Sequence, residues 1–115
     1  MKVFVYYNLH RKIWSIKALE GEKKGRVVAH RSRLVLEKPA PKVSEAGRQR
    51  VLEERRKNVH AGLVGEWSDR FILQFDGDEI TYNPYKYETF VYKDDEQPFT
   101  GASLALMQDR KVYVI

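Results

Sequence analysis

The residues of this chain that can do chemistry are stackable aromatics interleaved with groups that hold phosphate. Trp14, Trp67, Phe75, Tyr82, Tyr85 and Tyr87 can lie against a nucleobase. Arg26, Arg31, Arg33, Lys57, Asn58, Asn83 and Arg110 can hold phosphate or ribose. A base stacked on an aromatic ring gains about 1–3 kcal/mol. A guanidinium grips phosphate through two parallel N–H donors, a geometry that an ammonium cannot copy. Together these groups hold a nucleotide without acting on it. The same aromatics also suit cross-strand pairs in a sheet, so composition points to the chemistry without assigning a residue. Asn83 stands out because it precedes Pro84, and the residue before a proline is extended and stiff.

No catalytic constellation competes with that inventory. His10, His30 and His60 are far apart, with no carboxylate at metal-ligand spacing, so no zinc site is expected. Asp76-x-Asp78-Glu79 resembles the opening of a calcium loop but lacks the downstream bidentate Glu, and it reads as a turn. Ser15, Ser32, Ser44, Ser68 and Ser103 have no nucleophile-elbow context. Gly21 and Gly25 bracket Lys23 and Lys24 without the spacing or the Ser/Thr of a phosphate-binding loop. Nothing assembles a nucleophile, a base and an orienting group. The expectation is a binding protein, not an enzyme, with no cofactor and no metal.

Composition and charge bound the partner. A chain of 115 residues makes one domain, 1–115, with its own core, yet small enough that assembly adds to its stability. Zero cysteines exclude disulfides and thiol chemistry and fit a reducing compartment. No stretch approaches the roughly 18 apolar residues of a membrane span, and the first residues read as a strand rather than a signal peptide. The expected location is the cytoplasm. Residues 1–42 carry eleven Lys and Arg against three Glu, whereas residues 66–115 carry five against ten Asp and Glu. The basic first third implies an anionic partner, and the acidic last half argues against wrapping a nucleic-acid duplex.

These side chains must be positioned by strands and one helix. Residues 2–7, 13–17, 26–30 with 34–36, 59–66, 70–75, 79–82, 87–92 and 112–115 read as extended, and 101–108 is ambiguous between strand and short helix. The third strand is expected to break near Arg31-Ser32-Arg33, and Pro39 and Pro41 to end it. Ser44 is the expected N-cap of the main helix, running from Glu45 to Lys57 with Asn58 as its left-handed C-cap. Gly47 inside the helix suggests a close approach by another segment. The fold class is α+β, an antiparallel β-sheet with one main α-helix packed on it.

Three stretches carry a resemblance: Val5-Tyr6-Tyr7-Asn8-Leu9-His10-Arg11-Lys12 with Trp14-Ser15-Ile16, Gly25-Arg26-Val27-Val28-Ala29-His30, and Gly47-Arg48-Gln49-Arg50-Val51-Leu52 running to Arg56-Lys57-Asn58-Val59-His60-Ala61. Over roughly residues 1–65 this pattern resembles the phage Thoeris anti-defence sponges. The resemblance implies a protein that sequesters cyclic nucleotide immune signals, a cyclised ADP-ribose in particular and cyclic oligonucleotides in a separate site. It implies no cleavage, and a homo-oligomer in which dimers combine into a hexamer. Carried across, Trp14 becomes the stacking residue and Arg26 a phosphate ligand, while Phe75, Asn83 and Arg110 take the places of a pocket Phe, a loop Asn and a C-terminal Arg. The chain is short for that family. Two other classes stay open on the residues alone: a phage inhibitor of a host defence protein, of anti-restriction or anti-CRISPR type, and a small nucleic-acid-binding regulator.

Overall fold

The structure, a computed structural model, describes residues 1–70 and 74–115. One helix packs against a nine-stranded antiparallel sheet, so the fold is α+β. In chain order the elements are β1 (Lys2–Asn8), β2 (Ile13–Ala18), β3 (Val27–Arg31), β4 (Arg33–Val43), α1 (Glu45–Glu54), β5 (Ala61–Ser68), β6 (Asp78–Thr81), β7 (Val91–Tyr92), β8 (Leu104–Gln108) and β9 (Lys111–Val114). Across the sheet they lie in the order β3-β2-β1-β5-β4-β8-β9-β6-β7.

That order and the chain connectivity together force curvature. Only Ser32 separates β3 from β4, yet the two strands stand four steps apart in the sheet. In a flat sheet four steps span about 19 Å, whereas two residues of chain reach about 7 Å. The sheet must therefore roll until the far end of β3 meets the near end of β4. The break expected near Arg31-Ser32-Arg33 is this corner.

The rolled face is the apolar one. Alternate residues point inward, as the period of two requires: Val3 and Val5, Trp14 and Ile16, Leu34 and Leu36, Leu63, Ala105 and Met107, Val112 and Val114, and Ile80 form one cluster with Phe99. Each is at most 5% exposed. Burying such side chains contributes about 1.5–3 kcal/mol apiece, which sets the register as firmly as the backbone ladder does.

Several boundaries differ from those expected. Pro39 and Pro41 do not end β4; it runs on to Val43. The register against β5 shifts between Glu37 and Ala40, and Lys38 takes a left-handed φ of 51°, so Pro39 sits in a bulge. Both prolines lie beyond the stretch paired to β8, where β4 has one hydrogen-bonded neighbour and a missing N–H costs little. Trp67 and Ser68 belong to β5 rather than to a turn. The strand expected over 70–75 falls partly on residues 71–73, outside the described residues. In the stretch 87–92 only Val91 and Tyr92 pair as a strand, and the ambiguous 101–108 becomes β8.

The helix keeps its predicted start and loses its predicted end. Ser44 Oγ accepts a hydrogen bond from the Gly47 N–H at 3.1 Å, satisfying a donor that the first turn leaves unpaired. The left-handed C-cap is Arg55, not Asn58, so Arg55, Arg56 and Lys57 lie past the last turn. Loop closure explains the earlier stop. The Ser44 N–H donates to the His60 carbonyl at 2.7 Å, so the chain must return to its starting point by residue 60. Ten helical residues climb about 15 Å, and residues 55–60, extended, cover about 20 Å. A helix reaching Lys57 would climb about 20 Å and leave three residues to recover about 10 Å. Gly47 is where the return passes, since a Cβ there would lie 2.6 Å from the His60 Cβ.

Gly62 tests the packing at the heart of the roll. A Cβ there would run into the Val5 carbonyl oxygen and the Phe4 ring. Gly62→Ala should therefore lower the stability by about 1–3 kcal/mol. A urea melt reads this as a lower midpoint, and an unchanged midpoint would mean that β1 and β5 are not packed this closely.

Candidate functional site

The corner where the sheet closes gathers cations around a tryptophan. Trp67 lies near the end of β5 opposite Leu36, and its backbone N–H donates to the Met1 carbonyl at 2.9 Å. Arg31 ends β3, and the roll carries it across to β5, where its guanidinium carbon stands 5.3 Å from the Trp67 ring centroid. At an exposed site a guanidinium over an indole gains about 0.5–1 kcal/mol. Arg31 Nη1 also donates to the His30 carbonyl at 2.9 Å, so the head is held in place.

Two further arginines share this corner. Arg33 begins β4 and donates through Nε to Gln108 Oε1 at 2.9 Å, which ties it to the β8 strand. Arg70 follows β5; its backbone N–H donates to Ser68 Oγ at 3.1 Å, and its Nε stands 3.4 Å from Glu37. Arg31, Arg33, Trp67, Ser68, Asp69 and Arg70 line an open cleft of about 720 Å³. Three guanidiniums against one carboxylate in its lining make it electropositive, and its volume suits a small-molecule ligand. Such a cleft can hold a phosphate by charge and by planar, two-point hydrogen bonding.

A second cleft, about 470 Å³, has the opposite character. Asp78, Glu79, Asp94 and Asp95 line it with Tyr92 and Lys93, and Lys93 pairs with Glu79 at 3.5 Å. It repels anions. Among the described residues no group of His, Asp or Glu is arranged to hold a metal ion.

The five residues singled out from the sequence scatter. Trp14 is 5% exposed, sits in the core and meets Tyr7 edge-on with ring centroids 5.2 Å apart, so its faces do not offer a stacking platform. Arg26 is exposed at the opposite end of the hairpin: its carbonyl accepts from the Ala18 N–H, whereas Trp14 pairs with Arg31. Four residue steps of strand separate Ala18 from Trp14, about 13 Å. Phe75 packs beside Gly77. Asn83 forms its own turn, its Oδ1 accepting from the Tyr85 N–H at 2.9 Å and its carbonyl accepting from Lys86 and Tyr87. Arg110 returns to the neighbourhood of Trp14, its guanidinium carbon 5.3 Å from the Tyr7 centroid. The structure thus links Trp14 and Arg110 through Tyr7 and keeps Arg26 well away from both.

The cleft instead uses Trp67, Arg31 and Arg33, which belonged to the general inventory, and Arg70, which did not. Arg70 carried no sequence signal beyond its charge. The doublet Arg31-Ser32-Arg33 carried one, because a strand broken between two arginines places both at a bend.

Three polar clusters elsewhere are structural. Ser15 is fully buried, accepts from Asn8 Nδ2 at 3.3 Å and lies 2.9 Å from His30 Nδ1, closed to any substrate. His60 Nε2 lies 2.7 Å from the Tyr82 hydroxyl under the helix, and burial pushes that phenol above its ordinary range. At the acidic end, the hydrogen bond from the Tyr87 hydroxyl, helped by the Lys86 charge, holds the Glu96 carboxyl below its usual value.

These placements separate two substitutions that the sequence treats alike. Trp14→Ala empties a core position and should cost about 3–5 kcal/mol of stability. Arg31→Ala removes an exposed head and should cost under about 1 kcal/mol while emptying the cleft of one cation. Thermal melts of the two variants check the contrast; equal losses would contradict the burial of Trp14.

Comparison with known proteins places the chain among phage proteins. All of residues 1–115 match the family described as "Mycobacterium phage L5 gene 82 protein". The chain is 44% identical over 118 residues to the "Gene 82 protein" of Mycobacterium phage L5, a match covering 97% of this chain and 94% of that protein. No solved structure matches the chain. With its full length matched and nearly half of its residues shared, the chain belongs to the phage L5 gene 82 protein family.

Proposed function

We propose that this phage protein binds an anionic nucleotide in the cleft of Arg31, Arg33, Trp67 and Arg70 and holds it without breaking a bond. The observation that carries the reading is the Arg31 guanidinium 5.3 Å from the Trp67 ring centroid in a cleft of about 720 Å³ shared with two more arginines. The finer reading is a sponge of the Thoeris anti-defence kind, in which the ligand is a cyclic nucleotide immune signal, a cyclised ADP-ribose or a cyclic oligonucleotide. Its effect is mass action: each occupied cleft removes one signal molecule from the host's defence.

Native mass spectrometry with cyclic ADP-ribose isomers, cyclic dinucleotides and cyclic trinucleotides tests the proposal and reads the oligomer that the resemblance implies. A complex carrying intact ligand mass, released unchanged on heating, is the expected result. Arg31→Ala and Arg70→Ala should each weaken that binding about ten- to a hundredfold, the worth of a hydrogen bond to a charged group. A protein blind to every ligand would move the reading to an inhibitor of a host protein. Binding of duplex DNA that falls steeply with salt would instead mark a nucleic-acid regulator.

A further inference from the structure

The outer face of the rolled sheet carries an aromatic pair that the core does not use. Along β1, Val3 and Val5 point into the core, so Phe4 and Tyr6 between and after them point away from it. Their ring centroids lie 5.9 Å apart with the planes tilted by 31°, and both rings are half-buried. Phe4 leans across β5. A Cβ at Gly62 would lie 2.6 Å from Phe4 Cε2, so the ring fills the space that the glycine leaves bare. Lys42 is exposed, and its Nζ stands 5.9 Å from the Phe4 centroid, so this ring is reached from solvent.

Cations flank the pair on both sides. Lys17 stands opposite Phe4 on β2, and Lys42 stands opposite Gly62 on β4. Those two strands are three steps apart in the sheet, about 14 Å across the face. Neither lysine has an ion pair among the described residues. The carboxylates on the same face, Glu66 opposite Lys2 and Glu37 opposite Glu66, are already engaged. Glu66 pairs with the Met1 amine at 3.2 Å, and Glu37 with Arg70 at 3.4 Å. The charge left around the rings is positive.

We infer that this face binds single-stranded nucleic acid, with bases against Phe4 and Tyr6 and phosphates on Lys17 and Lys42. Residues two apart on a strand stand about 7 Å apart on one face, so neighbouring rings take successive bases. A single strand offers base faces that a duplex keeps stacked inside. A second copy of the chain fits less well, because a two-fold contact sets the patch against itself and brings like charges together. The face shares no residue with the arginine cleft, so the inference goes beyond the nucleotide reading and does not rest on it.

Fluorescence anisotropy with a labelled oligothymidylate tests this, beside a duplex of equal length and vesicles containing phosphatidylserine. The expected result is saturable binding of the single strand, tighter than that of the duplex. Phe4→Leu and Tyr6→Leu keep an apolar cover on the sheet and remove the ring. Each should weaken oligothymidylate binding about five- to a hundredfold in a chain that still melts cooperatively. Lys17→Gln combined with Lys42→Gln should flatten the slope of log affinity against log salt by about 1.4, the share of two single-strand phosphate contacts. Arg31→Ala should leave oligothymidylate binding unchanged, and Phe4→Leu should leave ADP-ribose binding unchanged, so each reading can fail alone. No binding of the single strand overturns the inference, as does equal binding of the duplex or binding of vesicles alone. Binding lost in Arg31→Ala but kept in Phe4→Leu moves the strand to the cleft and overturns it as well.

Discussion

Ser32 is a single residue between two strands that the sheet holds four positions apart, and the remainder of the architecture follows from that short tether. Backbone hydrogen bonding fixes the order of strands, and chain length fixes how far apart β3 and β4 can be. The two conditions agree only if the sheet rolls. Rolling buries one face, gives Trp14, Leu36 and Met107 a shared core, and leaves a corner in which side chains from β3, β4, β5 and the β8–β9 hairpin converge.

That corner is also where the molecule keeps its least comfortable groups. Three arginines lie together in one cleft, a fourth is held in a left-handed turn, and a buried indole N–H has no partner among the described residues. Like charges repel, and each unpaired buried donor costs stability. Elsewhere the protein satisfies such needs locally: Asn8 closes its own turn by accepting from the His10 and Arg11 N–H groups, and Ser44 caps its helix.

The helix occupies a different role from the one its charge suggests. Its arginine run looks like an anion-binding face, but the return of the chain to His60 cuts the helix at Glu54 and leaves Arg55 to Lys57 past its end. Arg48, within the helix, is spent on the Tyr87 carbonyl and on Glu45. The helix therefore holds the loop around Asn83 to Tyr87 through Arg48, and the arginine-lined cleft lies away from it at the sheet corner.

What the sequence determined by itself was local. Alternation of apolar residues marked the strands, Ser44 marked the helix start, Gly21 and Gly25 marked a turn in which both take positive φ, and the absence of Cys excluded disulfides and thiol chemistry. The pairing of stackable aromatics with arginines was legible as a composition, and Arg31, Arg33 and Trp67 were all within it. Which aromatic meets which cation was decided only by the tertiary structure. Arg31 and Trp67 are 36 positions apart in the chain, and they touch because a one-residue tether rolls the sheet. Trp14 took the role of a stacking residue from the resemblance to the Thoeris sponges, but whether its face is open depends on what the roll lays against it, and that is Tyr7. The same holds for the helix end, where local propensity favours continuing to Lys57 and the distance back to Ser44 forbids it.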